Sequence, residues 1–162
     1  MSFIRVKKIN GNAYAYLVEN KWYKRGFKGK GKGPRQKVGK YLGRVFYFNK
    51  EQDIDFLSFK KIENLGEYLK NNAREKIIRE LVEWELFRHN IDKSQFAVDL
   101  SNKKIMANNR EVSLKINEGF LNSFTLSRLF NMRSNDGYYL AKCFVEAGIE
   151  VPKDVFVGMF GK

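Results

Sequence analysis

The chain has 162 residues, a formal net charge of +13 and a sequence pI near 9.8, and its 43% of hydrophobic residues excludes global disorder. No apolar run reaches the ~20 residues that cross a bilayer, and Arg5, Lys7 and Lys8 interrupt any signal-peptide core, so we expect a cytoplasmic protein with no membrane association. The single cysteine, Cys143, excludes an internal disulfide and a cysteine-built zinc site, and we expect no metal and no cofactor.

The positive charge is concentrated in residues 1–50. They contain 14 Lys and Arg against one acid, Glu19, so this segment carries the whole net charge of +13 and residues 51–162 are neutral. Surfaces that are merely solvated mix both signs of charge. One-sided charge therefore predicts a polyanionic partner, which we expect to be nucleic acid.

The chain begins with a predicted β-hairpin. Apolar and basic side chains alternate along residues 3–9, the pattern of a half-buried strand. Asn10-Gly11 is the favoured pair for a tight type I′ turn, and alternation resumes in residues 13–19. These features predict two antiparallel strands, with Tyr14 and Tyr16 on one side of the second.

A third predicted strand covers residues 35–43 and completes a three-stranded antiparallel basic sheet. We expect Arg35, Lys37 and Tyr41 on one face of it and Val38 and Leu42 on the other.

Residues 26–34, GFKGKGKGP, connect the second and third strands. Their G-x-x-x-x-G-K spacing superficially matches a nucleotide-binding loop, but that motif requires Ser or Thr next and a helix behind it, and Gly33-Pro34 follows here. We expect a flexible basic loop that wraps a phosphate backbone; a plain glycine linker is the alternative.

Basic side chains of this segment can neutralise phosphates, and its aromatic rings can stack on bases. The alternative is that the lysines only solubilise the sheet and block edge pairing. The predicted nucleic-acid-binding residues are Arg5, Lys7, Lys8, Tyr14, Tyr16, Trp22, Lys24, Arg25, Lys28, Lys30, Lys32, Arg35, Lys37, Lys40, Tyr41 and Arg44.

Residues 3–44, FIRVKKINGNAYAYLVEN…PRQKVGKYLGR, resemble the N-terminal segment of DDE-type insertion-sequence transposases and the head of small archaeal proteins. The matching residues are Tyr16, Leu17, Val18, Glu19, Arg35, Gln36, Lys37, Leu42 and Gly43. In the transposases this segment precedes a catalytic core and helps to engage DNA. The resemblance implies DNA binding by this quarter of the chain, and it does not extend to a catalytic core.

Residues 51–94 have apolar side chains at helical spacing and predict a helical pair divided at Asn71-Asn72. We expect Asn72 and Glu75 to form a capping box for the second helix. His89, the single histidine, has no clustered acid or cysteine, so we expect neither metal binding nor catalysis from it.

Residues 95–162 predict a three-stranded β-meander followed by three helices. We expect the first of these helices to be capped by Asn117 and the second to end at Gly148. We interpret the first two as an αα-hairpin rather than a DNA-reading helix-turn-helix.

The predicted fold class is therefore α+β. Residues 1–50 would form a basic β-sheet module that binds nucleic acid, residues 51–94 a helical connector and residues 95–162 a neutral α+β domain. The predicted function is non-enzymatic binding of nucleic acid, with DNA favoured over RNA.

Three alternatives remain open. The protein could bind RNA or associate with the ribosome, since the loop and the tyrosines suit structured RNA equally well. It could be a metal-dependent nuclease that uses Asp99 and Glu111, or a reduced transposase or recombinase. Finally, residues 95–162 could bind a protein partner or self-associate, with the head acting only as a tether.

Overall fold

A single mixed β-sheet runs through the computed structural model, which describes residues 2–23, 33–132 and 136–159. The strands are β1 (Ser2–Ile9), β2 (Asn12–Tyr23), β3 (Gly33–Tyr47), β4 (Ala97–Asp99), β5 (Lys104–Ala107), β6 (Arg110–Ile116) and β7 (Gly119–Leu121). Their order is β1-β2-β3-β6-β5-β4, and β7 pairs with the second half of β6.

The mixed α and β content is confirmed, but the expectation of two separate three-stranded sheets is wrong. β3 continues past the predicted end at residue 43 and pairs in parallel with β6, from Arg44 opposite Val112 to Tyr47 opposite Lys115. The two groups of strands therefore form one larger sheet. Alternation identifies a strand but carries no information about which distant strand will pair with it. The predicted boundaries at residues 50 and 94 stay predictions.

Gly43 makes the close approach of β3 to β6 possible. Its φ is +97°, a conformation that residues with a Cβ rarely adopt, and a Cβ built there would lie 2.2 Å from the Glu111 carbonyl oxygen. The neighbouring register is irregular, since β3 contains extra residues near Tyr16 of β2. These irregularities are β-bulges, which bend a strand and re-aim its side chains.

Tight turns use Asn or Gly in the left-handed conformation. Asn10 and Gly11 have φ of 51° and 81°, which confirms the predicted hairpin turn. Asn117, by contrast, does not cap a helix. It has φ 48° and turns the chain from β6 into the short strand β7, so the next helix starts later and is capped by Asn122.

The described residues contain six helices: α1 (Phe56–Lys60), α2 (Leu65–Asn71), α3 (Arg74–Arg88), α4 (Ser123–Asn131), α5 (Gly137–Ala147) and α6 (Lys153–Met159). The predicted helical pair is thus three helices, because a one-turn helix capped by Asp55 precedes it.

Asn72 is not the cap of α3, since its side-chain amide donates back to the Tyr68 carbonyl. Gly148 ends α5 in the left-handed conformation, as predicted. None of the helices in the described part of the chain is long and apolar enough to cross a membrane.

The main core lies between α3, the central strand β6 and the C-terminal helices. It includes Leu81, Leu114, Leu126 and Leu140, all of which are almost completely buried. Cys143 is buried in the same cluster, consistent with its role as a small core residue. A smaller cluster under β1–β3 contains Ala13, Ala15, Leu42 and Val45.

The carboxylate of Glu85, on α3, is fully buried and is held by groups from several elements. It accepts hydrogen bonds from Arg88 at 3.0 Å, from the Asn117 amide at 3.2 Å and from the Glu150 backbone N–H at 3.0 Å. Burial raises the pKa of Glu85, and these partners oppose that shift. His89 lies in the same network, with Nδ1 2.8 Å from the Glu85 carbonyl oxygen.

We expect Gly43→Ala to destabilise the protein by about 3 kcal/mol, because it combines a strained φ with a clash against the β6 backbone. Gly11→Ala is the matched control: Gly11 also has positive φ (+81°), but a Cβ at that position would have no neighbouring atom within 4 Å. It should cost only about 1 kcal/mol. Urea unfolding of both variants measures the difference, and equal losses would show that the close approach to β6 is not required.

Candidate nucleic-acid interface

One face of the β1–β3 sheet is covered, and the other is largely exposed among the residues that the structure describes. Ile4, Val6 and Leu17 lie on the covered face, where they pack in the cluster that includes Phe120 of β7 and Phe124 of α4. Side chains alternate between faces along a strand. Arg5 and Lys7 therefore point to the free face, and both are exposed.

The free face carries three tyrosines and three cations, and we call it the tyrosine face: Arg5, Lys7, Tyr14, Tyr16, Tyr41 and Arg44. The Tyr41 ring centroid lies 5.2 Å from that of Tyr16 and 6.4 Å from that of Tyr14. Lys7 Nζ lies 5.2 Å from the Tyr16 ring centroid. The rings thus form a contiguous patch with a cation directly against it.

Two of the cations are positioned by amide side chains. Arg44 Nη2 donates to Asn12 Oδ1 at 2.9 Å, and Arg5 Nη1 donates to Gln36 Oε1. The guanidinium carbon of Arg44 also lies 5.1 Å from the Phe46 ring centroid. Arg44 is therefore held at the border between the β1–β3 strands and the rest of the sheet.

The bulges in β3 change the predicted grouping of its side chains. Tyr41 pairs with Tyr16 and Val38 with Val18, so Val38 shares a face with Tyr41 and is exposed. Arg35 and Lys37 pair with Lys21 and Glu19, which lie on the opposite face. The expectation that Arg35, Lys37 and Tyr41 share one face is wrong, because simple alternation does not hold across inserted residues.

The single acid of this segment lies away from the tyrosine face. Glu19 pairs with Ser2 and Lys37 on the opposite face, and its carboxylate lies 3.9 Å from Lys21 Nζ. Within residues 2–23 and 33–47, the tyrosine face therefore contains cations and no carboxylate. An anion approaching this face is attracted by its cations, and no carboxylate of these strands lies on the same face to oppose that attraction.

β2 and β3 extend beyond β1 as a two-stranded ribbon in which residues 20–23 pair with residues 33–36. We call this the ribbon arm. Trp22 lies on it with 69% of its surface exposed, on the same side as the tyrosine face by alternation.

The remaining predicted residues do not join the tyrosine face. Lys8, like Arg35 and Lys37, lies on the opposite face, and Lys40 is exposed beside the bulges. Residues 24–32, which include most of the predicted basic loop, lie outside the described residues, and five of the predicted binding residues lie there: Lys24, Arg25, Lys28, Lys30 and Lys32.

A cleft of about 750 Å³ borders the tyrosine face where β3 meets β6. Tyr14, Tyr41 and Arg44 line one side, and the β5–β6 turn, residues 108–110, lines the other. We call it the seam cleft. Asn108 and Asn109 of that turn both have positive φ, 51° and 61°, so the turn is a tight one with a defined backbone.

Arg110 and Tyr41 both line the seam cleft, and the charge of Arg110 acts on the Tyr41 hydroxyl. Partial burial raises the pKa of the Tyr41 hydroxyl above 10.0, Tyr16 and Tyr14 raise it further, and the positive charge of Arg110 acts in the opposite direction. Sequence reasoning missed residues 108–110 as site residues. The sequence of these residues predicts only a turn. The pairing of β3 with β6, which brings them close to Tyr41, is a tertiary contact.

The pair proposed for a nuclease does not form a site. Asp99 accepts from the backbone N–H and the side-chain amide of Asn102, at 3.0 and 2.7 Å, and these bonds lower its pKa. Glu111 lies on β6, opposite Met106 of β5, whereas Asp99 lies on β4, on the other side of β5. Two strand spacings alone therefore separate Asp99 from Glu111 by about 10 Å. No group of three or more His, Cys, Asp or Glu side chains in the described part of the chain could hold a metal ion.

Comparisons with protein-family models, with curated proteins and with solved structures gave no match. The resemblance of residues 3–44 to transposase heads therefore stays a prediction.

We expect Arg110→Ala to raise the pKa of Tyr41 further, because a nearby guanidinium stabilises the phenolate and its removal disfavours ionisation. Ring-carbon NMR of labelled tyrosines through a base titration measures the midpoint. Arg79→Ala is the control, since Arg79 lies on α3 and pairs with Glu75. A Tyr41 midpoint that does not move in Arg110→Ala would contradict the geometry of the seam cleft.

Proposed function

We propose that this protein is a non-enzymatic, cytoplasmic nucleic-acid-binding protein whose main contact surface is the tyrosine face, with DNA as its ligand. The proposal is based on which side chains the fold places on each face of the β1–β3 sheet. One face of the β1–β3 sheet is packed against Phe120 and Phe124, and the free face gathers three tyrosines and three cations without an acid.

The cations of the tyrosine face suit a phosphate backbone. Arg5, Lys7 and Arg44 each neutralise a phosphate and release condensed counterions on binding, which is the main source of affinity in such complexes. Guanidinium groups also make bidentate bonds to phosphate oxygens. Arg44 is already oriented by Asn12, so less side-chain freedom is lost when it binds.

The tyrosines supply contacts that a purely basic surface lacks. Tyr41 is half exposed, and Tyr14 and Tyr16 are partly exposed beside it, so ring surface is available to sugars and bases. Aromatic rings stack on bases of any sequence. This combination favours a binding protein with little sequence selectivity over one that reads a defined site.

The ribbon arm extends the surface. A two-stranded ribbon is narrow enough to enter the major groove of duplex DNA. Trp22 and Lys21 lie on opposite faces of the arm, so both of its sides would contact nucleic acid in such an arrangement.

The choice of DNA over RNA rests on the resemblance of residues 3–44 to transposase heads. Sequencing the nucleic acid that co-purifies with the protein at low salt distinguishes the two. Recovery of DNA supports the proposal, and recovery of RNA alone would replace DNA with RNA as the ligand.

We expect the affinity for duplex DNA to fall steeply with salt. The double variant Lys7→Gln/Arg44→Gln should reduce the slope of log affinity against log salt by about 1.5–2, because two phosphate contacts are lost. Fluorescence anisotropy across a salt series measures the slope.

The matched control is Lys76→Gln/Lys93→Gln, which removes the same charge from exposed positions outside the β1–β3 strands. Its slope should equal that of the wild type. If both double variants change the slope equally, net charge rather than the tyrosine face determines binding, and the proposal is wrong.

We expect DNA to quench the fluorescence of Trp22. The chain has two tryptophans, and the other, Trp84, is buried in the core, where it donates to the Ile54 carbonyl oxygen. Quenching should therefore be strong in the wild type and nearly absent in Trp22→Phe. Binding with unchanged emission would show that the ribbon arm does not contact the DNA.

A further inference from the structure

We propose that the seam cleft holds one unpaired base of the bound DNA, so that the protein prefers DNA with an unpaired nucleotide over a continuous duplex. This inference rests on the proposed function and specifies its ligand. The cleft is concave and about 750 Å³ in volume, within the range of about 300–1,000 Å³ that is typical of small-molecule sites. A duplex presents its bases only as edges in its grooves, whereas an unpaired nucleotide can leave the stack and enter a cavity.

Aromatic rings form one wall of the seam cleft. Tyr41 and Tyr14 both line it, with their ring centroids 6.4 Å apart and their planes inclined by 38°. Tyr41 also contacts Tyr16, with ring centroids 5.2 Å apart, yet half of its surface is exposed, so ring surface is available to a base. Stacking on such a ring is favourable for every base.

Amide groups form the opposite wall. Asn108 and Asn109 line the seam cleft, both are accessible to solvent, and both belong to the tight β5–β6 turn. A side-chain amide carries two N–H donors and a carbonyl acceptor, which match the donor and acceptor pattern of a base edge. The Watson–Crick edge of an unpaired base is free to take these hydrogen bonds, while the same edge of a paired base is already occupied.

Two arginines flank the seam cleft and are placed to hold the phosphates on either side of an inserted nucleotide. Arg44 comes from β3 and Arg110 from β6, so the parallel pairing of those strands positions both. Glu111 also lines the seam cleft, but strand alternation points its side chain to the opposite face from Arg110. The mouth of the cleft therefore carries positive charge.

The seam cleft also gives the C-terminal strands a role in binding. Residues 108–110 lie in the neutral part of the sequence, yet they complete a cavity whose other wall is the basic head. Neither wall alone encloses a base. The site exists because the two parts share one sheet.

The test compares two DNA hairpins whose stems have the same number of base pairs and are closed by a non-nucleotide linker, one fully paired and one with a single bulged nucleotide. The bulged position carries a fluorescent purine analogue whose emission falls when the base stacks. We expect the bulged hairpin to bind about tenfold more tightly, given the usual stabilisation from one base–aromatic stack. The analogue's emission should fall on binding.

Two variants locate the effect in the seam cleft. Tyr41→Ala removes the stacking surface, and Asn109→Gly removes an amide while glycine tolerates the φ of 61° at that position. Asn109→Gly should abolish most of the preference for the bulged hairpin and leave affinity for the paired hairpin within about twofold, whereas Tyr41→Ala should weaken binding of the bulged hairpin more than binding of the paired one. Asn90→Gly is the control, because Asn90 also has positive φ (50°) but lies at the end of α3.

The outcomes separate the two proposals. Equal, salt-sensitive binding of both hairpins would overturn the base-binding proposal and leave the proposed function standing. Equal weakening of both hairpins by Tyr41→Ala would also overturn it, since Tyr41 would then act as part of the general surface. Failure to bind either hairpin at low salt would overturn the proposed function itself.

Discussion

The parallel pairing of β3 with β6 is the constraint on which the rest of the structure depends. It joins strands that are far apart in sequence, and it is possible because Gly43 lets the two backbones approach where any Cβ would meet the Glu111 carbonyl. The pairing buries Val45 and the Ser113 hydroxyl, which donates to the Leu42 carbonyl at 2.7 Å. Three strands with one buried face need a cover to be stable, and pairing with β6 brings Phe120 of β7 and Phe124 of α4 against that face.

The same pairing determines which surface is free. β7 and α4 follow β6 directly, so their Phe120 and Phe124 reach one face of the β1–β3 sheet and leave the tyrosine face exposed. Alternation along β2 and the bulges of β3 then place Tyr41 beside Tyr14 and Tyr16 and turn Glu19 away. The strand register therefore determines which side chains share the exposed face. Composition determines only how many cations the segment contains.

A second polar network secures the other end of β6. Glu85 of α3 is a buried carboxyl group, and burial of such a group is tolerated only when partners satisfy it. Its bonds to Asn117 and to the backbone of Glu150 tie α3 to the β6–β7 turn and to the segment after α5. Arg88 extends the network to the Glu150 carboxylate at 3.2 Å, and its guanidinium carbon lies 4.2 Å from the Trp84 ring centroid. The central strand is therefore anchored at both ends, by backbone pairing with β3 and by this charge network.

The sequence by itself determined the local features of this protein: the charge asymmetry, the Asn10-Gly11 turn and the end of α5 at Gly148. Each depends on the conformational preference or charge of a few adjacent residues, so each can be recognised without the rest of the chain. Tertiary structure alone decided the partner of β3, the bulges that re-sort its side chains, the use of Asn117 as a turn and the seam cleft. These depend on contacts between residues that are distant in sequence. The tyrosine face and the seam cleft both depend on such contacts. The alternation of side chains along a strand predicts which residues share a face, but it does not predict which strand lies next to it.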